Sequence, residues 1–264
     1  MPQKRDTINP YFLGLNLFYH RLLWDIHPCS WSSRIRIRKW KNLFYGKKAI
    51  ILCNGPSLKK VDFDLLTVSG IFTFGLNKIN ILFSHTNFRP SCIVAVNPYI
   101  IEQSQDFFNI TELPLFLDSR SHKLIEFRSN VHFLHSNGIK SNFARDCSIS
   151  VNQGYTVTYV AMQLSFHMGF KTVALVGCDH YFKRTGRANE TATVSRNDPD
   201  HFDSNYFSIG QTWQFPDIAG TELHYQIAGD TFAKYGRSLV NCTEGGKLEV
   251  FERQSLSEFI GSDI

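Results

Sequence analysis

The stretch AIILCNGPSLKKVDFDLL, residues 49–66, decides how the rest of the chain is read. Ala49-Ile50-Ile51-Leu52-Cys53 is a continuous apolar run of strand length, the pattern of a strand buried on both faces of a parallel sheet rather than half-exposed in an antiparallel one. It stops at Asn54-Gly55-Pro56-Ser57. In an open α/β sheet, ligands bind outside the carboxyl ends of the strands, so a buried strand delivering this polar tetrapeptide marks a candidate site.

Working outward, similar runs occupy residues 71–76, 92–96, 115–117, 131–134 and 172–177, separated by helical or loop segments. Residues 155–170 form the clearest helix: Val157, Val160, Ala161, Leu164 and Met168 make one stripe, and Gly169 supplies a stop before the next strand. Residues 222–235 predict a further helix stopped at Gly236, followed by a last strand, SLVNCT, and a C-terminal helix around 254–260. The expected fold is α/β: a Rossmann-like, doubly wound, mostly parallel sheet with a lid insertion and an N-terminal helical arm.

The segment 183–221 is polar and lacks periodicity, yet holds His201, Tyr206 and Trp213, which suits a lid over the sheet better than a disordered insertion. Residues 1–47 read as a basic, aromatic arm, and 48–264 as a nucleotide-binding catalytic domain. In the arm, Phe12, Leu15, Phe18, Tyr19 and Leu22 recur at helical spacing, while RIRIRKW alternates like a strand or a basic linker. Lys and Arg beside Trp and Phe suit the anionic face of a membrane; the plainer reading is a helix packed on the domain with a solvated basic edge.

Charge supports that division. Residues 1–48 carry ten of the 28 Lys and Arg but two of the 23 Asp and Glu, leaving 18 basic and 21 acidic residues in the body. A slightly acidic body argues against nucleic acid as a partner. The six cysteines are widely spaced, without CxxC or Cys/His zinc spacing, and several sit in apolar runs as small buried thiols. With no run long enough to span a membrane and no secretory signal pattern, the expected location is cytoplasmic, peripheral on the inner face of the cytoplasmic membrane.

Three successive runs end on asparagine: Asn54, Asn77 and Asn97. A fourth ends on Gly177-Cys178-Asp179. If the runs are parallel neighbours, their amides converge and offer donors and acceptors to a base, ribose or phosphate. Gly55 would admit close backbone approach, and Ser57 would cap a following helix. Asn and Gly are also ordinary turn formers after strands, but three such ends in succession favour binding. P-loop, GxGxxG and GxSxG patterns are absent. Asp62, Asp64 and Asp179 are the carboxylates available to a cation; no metal site is expected and no cofactor is required, Mg²⁺ being compatible with the residues but demanded by none. VDFD reads more simply as a helix start.

The blocks IILCNGPSLKKVDFDLL, FTFGLNKI, IVAVNPY and YTVTYVAMQLSFHMGFKTVALVGCDHYF resemble the bacterial lipooligosaccharide sialyltransferases. They also resemble the broader domain family named for archaeal 6-hydroxymethylpterin diphosphokinase, whose members occur in surface-polysaccharide biosynthesis. HFDSNYF and GRSLVNCTEGGKLEVF are more similar to the broader family, and the resemblance spans roughly residues 48–252. It implies that Asn54, Gly55, Ser57, Asn77 and Asn97 contact the CMP part of an activated sugar, that Thr156 lies near the sugar, and that Gly177 and Asp179 border the nucleotide. It implies catalytic roles for His201 as base and Tyr181 and Tyr206 as phosphate donors, with His180 and His224 as substitute bases. The implied activity is a glycosyltransferase joining a CMP-activated, sialic-acid-like sugar to a glycan acceptor. An ATP-dependent diphosphokinase and a non-catalytic nucleotide-binding module are the alternatives.

Overall fold

The computed structural model describes residues 9–137, 142–183, 186–195 and 197–262. The expected arm and lid therefore each fall in part outside the described residues. Two helices come first, α1 (Pro10–Ile26) and α2 (Pro28–Trp40), followed by β1 (Lys48–Leu52), α3 (Phe63–Ser69), β2 (Phe72–Leu76) and β3 (Cys92–Ala95). The chain continues through α4 (Pro98–Gln103), α5 (Gln105–Ile110), β4 (Leu115–Asp118), β5 (Val131–Leu134), and a small pair, β6 (Ser136–Asn137) and β7 (Val151–Asn152). Then come α6 (Val157–Met168), β8 (Thr172–Val176), the hairpin strands β9 (Thr191–Thr193) and β10 (Thr212–Gln214), α7 (Ile218–Lys234), β11 (Ser238–Asn241), β12 (Glu252–Arg253) and α8 (Leu256–Gly261).

The main sheet has eight strands in the order β12-β11-β8-β1-β2-β3-β4-β5, and every neighbouring pair is parallel. The fold is thus the expected Rossmann-like α/β sheet. From β1 the chain builds outward to β5, then returns across the sheet to β8 on the other side of β1. The order reverses between β1 and β8, and a crevice opens at the carboxyl ends of strands on either side of such a reversal.

The unbroken hydrophobicity of the strands follows from this layering. Along β1, Ala49 and Ile51 join one core with α6, while Ile50 and Leu52 join a second core on the opposite face. Because successive side chains point to opposite faces, both registers must be apolar when both faces are covered. Helix α6 is buried along its length, including Gln163, Ser165 and His167 outside the apolar stripe. Gln163 satisfies its amide internally: Nε2 donates to Asn152 O at 2.7 Å, and Oε1 accepts from Asn152 N at 3.0 Å. Gly169 ends the helix in the left-handed region, φ 94°.

RIRIRKW is helical, not a strand or linker. It lies in α2, where Ser30, Ser33 and Ile37 form a buried face at helical spacing and the Ile37 side chain enters the main core. Alternating Arg and Ile misleads because only one of the two isoleucines, Ile37, is needed inside; Ile35 is exposed. Arg36 is spent on the body, with Nη1 donating to Val131 O at 3.3 Å.

The insertion expected as a lid is packed down as a cap. Phe202 N donates to Asn54 O at 2.9 Å, and Lys78 Nζ donates to Tyr206 O at 2.9 Å. Gln103 Nε2 donates to Thr212 O at 2.9 Å. Phe202, Tyr206, Phe207 and Trp213 are buried in the second core, which is why a segment without periodicity holds so many aromatic residues.

Candidate active site at the strand-order reversal

The crevice forms where the loops after β1 and β8 interlock. Cys53 N donates to Val176 O at 2.8 Å, and Gly55 N donates to Gly177 O at 2.9 Å, extending the pairing past the strand ends. A Cβ on Gly55 would lie 2.0 Å from Asp179 Oδ2 and 2.6 Å from Gly177 O. The glycine is thus required by the neighbouring loop. Asp179 fills that space because Ser57 Oγ donates to its Oδ2 at 2.7 Å and Ser57 N to the same carboxylate at 3.2 Å. Ser57 does not cap a helix as expected; it lies inside the short 3₁₀ turn Pro56–Lys60 and clamps the two loops together. Capping of α3 falls to Asp62, whose carboxylate accepts from Leu65 N at 2.9 Å, the helix-start role read from VDFD.

A cleft of about 160 Å³ sits above this junction, lined by Asn54, Gly55, Asn77, Thr156, Gly177 and Asp179, with Tyr181, His201 and Tyr206 on its walls. Nine of the eleven expected site residues therefore share one cavity. Two of the asparagines carry the clearest chemical signal. Asn54 Nδ2 donates to Leu76 O at 2.9 Å, tying the β1 end to the β2 end, but its Oδ1 is buried without a partner. Asn77 Oδ1 is likewise unpartnered, and its backbone takes φ 51° in the left-handed region. Leaving a buried acceptor unmade costs about 1–3 kcal/mol, which donors on a ligand would recover.

Asn97 behaves differently. Its Oδ1 caps α4 by accepting from Tyr99 N at 2.9 Å, while Nδ2 donates to Gln214 Oε1 at 3.3 Å. It lines an adjoining cavity of about 110 Å³ rather than the cleft itself. His201 and Tyr206 line both cavities and form the wall between them.

His201 is the best-organised titratable group in the cleft. Its Nδ1 is 2.8 Å from Oδ2 of Asp198, whose side chain is fully buried. Its ring stacks on Tyr206 at 4.0 Å between centroids and 2° between planes. With Nδ1–H donated to the carboxylate, the lone pair is on Nε2. Tyr206, expected to donate to phosphate, is buried behind the imidazole; burial pushes its phenol pKa up, and its oxygen accepts from Lys78 N at 3.5 Å. Lys78 beneath it is held down to about 8 by burial. Tyr181 stands half-exposed at the rim, under the Lys247 ammonium at 4.4 Å.

The substitute bases separate. His180 takes φ 53° and pairs through Nε2 with Glu222 Oε1 at 3.0 Å, still on the cleft wall. His224 is buried and does not line the cleft, donating Nδ1–H to Gly220 O at 2.7 Å and packing edge-on to Tyr155 and Tyr159. The sequence reading missed Asp198, Asp200, Tyr155, Thr158 and Phe182, all but Asp198 lining the cleft. Asp198 was legible in principle, as the carboxylate three residues before His201 in DPDH. Thr156 caps α6, accepting from Thr158 N at 3.3 Å, and so brings the N-terminus of a 12-residue helix to the cleft. Such a terminus attracts anions.

Among the described residues, no group of three or more His, Cys, Asp or Glu side chains is placed to share a metal ion. The six cysteines are free, five of them buried.

The family model described as 6-hydroxymethylpterin diphosphokinase MptE-like matches residues 32–185, more than half of the chain. The match takes in α6, β8 and both loops of the reversal; His201 and Asp198 lie beyond its end. Among solved structures, the MAf glycosyltransferase from Magnetospirillum magneticum AMB-1 is similar with a TM-score of 0.51 and 15% identity over 86% of this chain. The chain spans 38% of that protein's length, and at this identity the likeness is one of fold. No curated protein matches the chain.

Proposed function

This chain belongs to the MptE-like family, and from that premise we propose that it is an inverting glycosyltransferase that uses a CMP-activated, sialic-acid-like sugar in surface-glycan synthesis. The observation that carries the reading is His201 on the wall of a cleft at the strand-order reversal, held through Nδ1 by the buried Asp198. In this reaction His201 Nε2 removes the proton of an acceptor hydroxyl as its oxygen attacks the anomeric carbon. The bond from that carbon to the CMP phosphate oxygen breaks, and the electron pair leaves with CMP. Asp198 holds the ring in the basic tautomer and stabilises the imidazolium that forms. Tyr206 fixes the plane of the imidazole by stacking, which leaves Tyr181 and the α6 N-terminus to face the departing phosphate.

The unpartnered Oδ1 atoms of Asn54 and Asn77 accept from the nucleoside's amino or hydroxyl groups. Gly55, Gly177, Ser57 and Asp179 hold the floor on which the nucleotide rests. The family's name favours a second reading, an ATP-dependent diphosphokinase, in which Mg²⁺ would assist phosphoryl transfer.

Thermal unfolding with CMP, CDP, UDP and ATP, each with and without Mg²⁺, separates the two. A ligand at a hundredfold excess over its Kd stabilises by about 2.7 kcal/mol, a shift of several degrees. Stabilisation by CMP irrespective of Mg²⁺ is expected. A response confined to ATP with Mg²⁺ would replace the transferase by the kinase.

A further inference from the structure

Helix α1 carries an apolar stripe with nothing packed on it among the described residues. Tyr11, Leu15, Phe18, Leu22 and Ile26 recur at intervals of three and four, which places them on one helical face, and all are exposed, Tyr11 at 82% and Ile26 at 68%. Phe12, exposed at 70%, flanks them. The helix is nonetheless fixed to the body through its second half. Trp24 is buried, and Arg21 Nη1 donates to Ile149 O at 2.9 Å. The surface continues onto α2, where Trp31 and Ile35 are exposed beside Arg38 and Lys39.

The charge carried by residues 9–48 is almost all of one sign. Asp25 is the only acidic residue between Asn9 and Lys48, and both of its carboxylate oxygens are taken, by Arg21 and Arg34. Arg38, Lys39 and Lys47 are exposed, with no acidic partner among the described residues. Under α1 lies a cavity of about 1120 Å³, walled by Leu17, Leu23 and Ile26 on one side and by His122 and Lys123 on the other.

We propose that α1 and the exposed face of α2 dock this protein on an anionic lipid bilayer, with the α1 stripe lying in the plane of the interface. An aromatic and aliphatic helical stripe, with exposed cations at the end of the next helix and in the turn after it, fits headgroup phosphates and the acyl boundary beneath them. A second copy of the chain fits worse, because a two-fold dimer would press this cationic surface against itself. No helix among the described residues is long and apolar enough to cross a bilayer. The inference stands independently of which donor the cleft takes.

The test is co-sedimentation of the full chain with vesicles of phosphatidylcholine alone and of phosphatidylcholine with phosphatidylglycerol. It is run alongside Phe12→Ser/Phe18→Ser and Arg38→Glu/Lys39→Glu, all at exposed positions whose replacement leaves the core intact. Binding to the anionic vesicles is expected, falling by roughly tenfold or more in either double variant and also at ~1 M salt, where screening shortens to about 3 Å. Absence of binding to anionic vesicles, or equal binding by the Phe variant, overturns the proposal. A dimer in sedimentation velocity that Phe12→Ser/Phe18→Ser returns to monomer, without vesicle binding, assigns the stripe to a second copy instead.

Discussion

Oδ2 of Asp198 lies 2.8 Å from Nδ1 of His201, and the imidazole so oriented lies flat on the ring of Tyr206. A histidine fixed on two sides, by a buried carboxylate and a parallel ring, is poised for proton transfer in a way that a lone loop histidine is not. If it is the base, His201→Ala should lower kcat by about a hundredfold to ten-thousandfold while leaving CMP affinity nearly unchanged. Asp198→Asn keeps the shape but not the tautomer, so it should also lower kcat, with an altered pH–rate profile. Unchanged turnover in His201→Ala would move the search to His180, which remains on the cleft wall.

Asn54 and Asn77 should report nucleotide binding. Replacing either by Ala is expected to weaken CMP by about 0.5–1.5 kcal/mol, roughly two- to tenfold in Kd by calorimetry, because each loses an acceptor that only a ligand satisfies. Asn97→Ala should instead cost stability, about 1 kcal/mol, as the loss of the α4 cap. Equal CMP affinity across wild type, Asn54→Ala and Asn77→Ala would put the nucleotide elsewhere.

Gly55→Ala tests the interlocked loops. The added Cβ would overlap Asp179 Oδ2 at 2.0 Å and Gly177 O at 2.6 Å, and while the carboxylate can swing away, the carbonyl belongs to the backbone. A loss of about 1–3 kcal/mol in chemical denaturation is expected, with weakened nucleotide binding as the loops separate. Wild-type stability in this variant would show that the loops do not meet as described.

His132 links stability to acid pH. Its ring accepts from Trp40 Nε1–H on Nε2 at 3.1 Å and directs Nδ1 at Leu115 O and Asn130 O, and burial lowers its pKa to about 4. Between about pH 4 and 6.5 the unfolded chain therefore binds a proton that the folded chain refuses. The stabilisation is fully present above pH 6.5 and is lost as pH falls towards 4. Denaturation midpoints should drop across that window, and the His132 ring should titrate near 4 by NMR; titration near 6.5 would contradict this assignment.

The sequence by itself determined the sheet and the place of the site. Seven apolar runs became seven parallel strands because burial on both faces leaves no freedom for polar alternation, and the polar residues that end them had to collect at one edge. It also specified the stop at Gly169 and the start at Asp62, which are local backbone chemistry. What it could not determine was which polar atoms are already used. Ser57 and Asp179 satisfy each other and Tyr206 is buried, whereas Asn54 and Asn77 keep free acceptors; these differences depend on neighbours 22 to 128 residues away, while Asn97 serves its own helix through Tyr99, two residues on. The helix written as RIRIRKW and the packed cap were decided in the same way, by long-range burial that overrode local alternation in one and the lack of periodicity in the other. The partnership of Asp198 with His201 is close in sequence, but only the cap's packing onto the β1 and β2 ends brings it to the cleft.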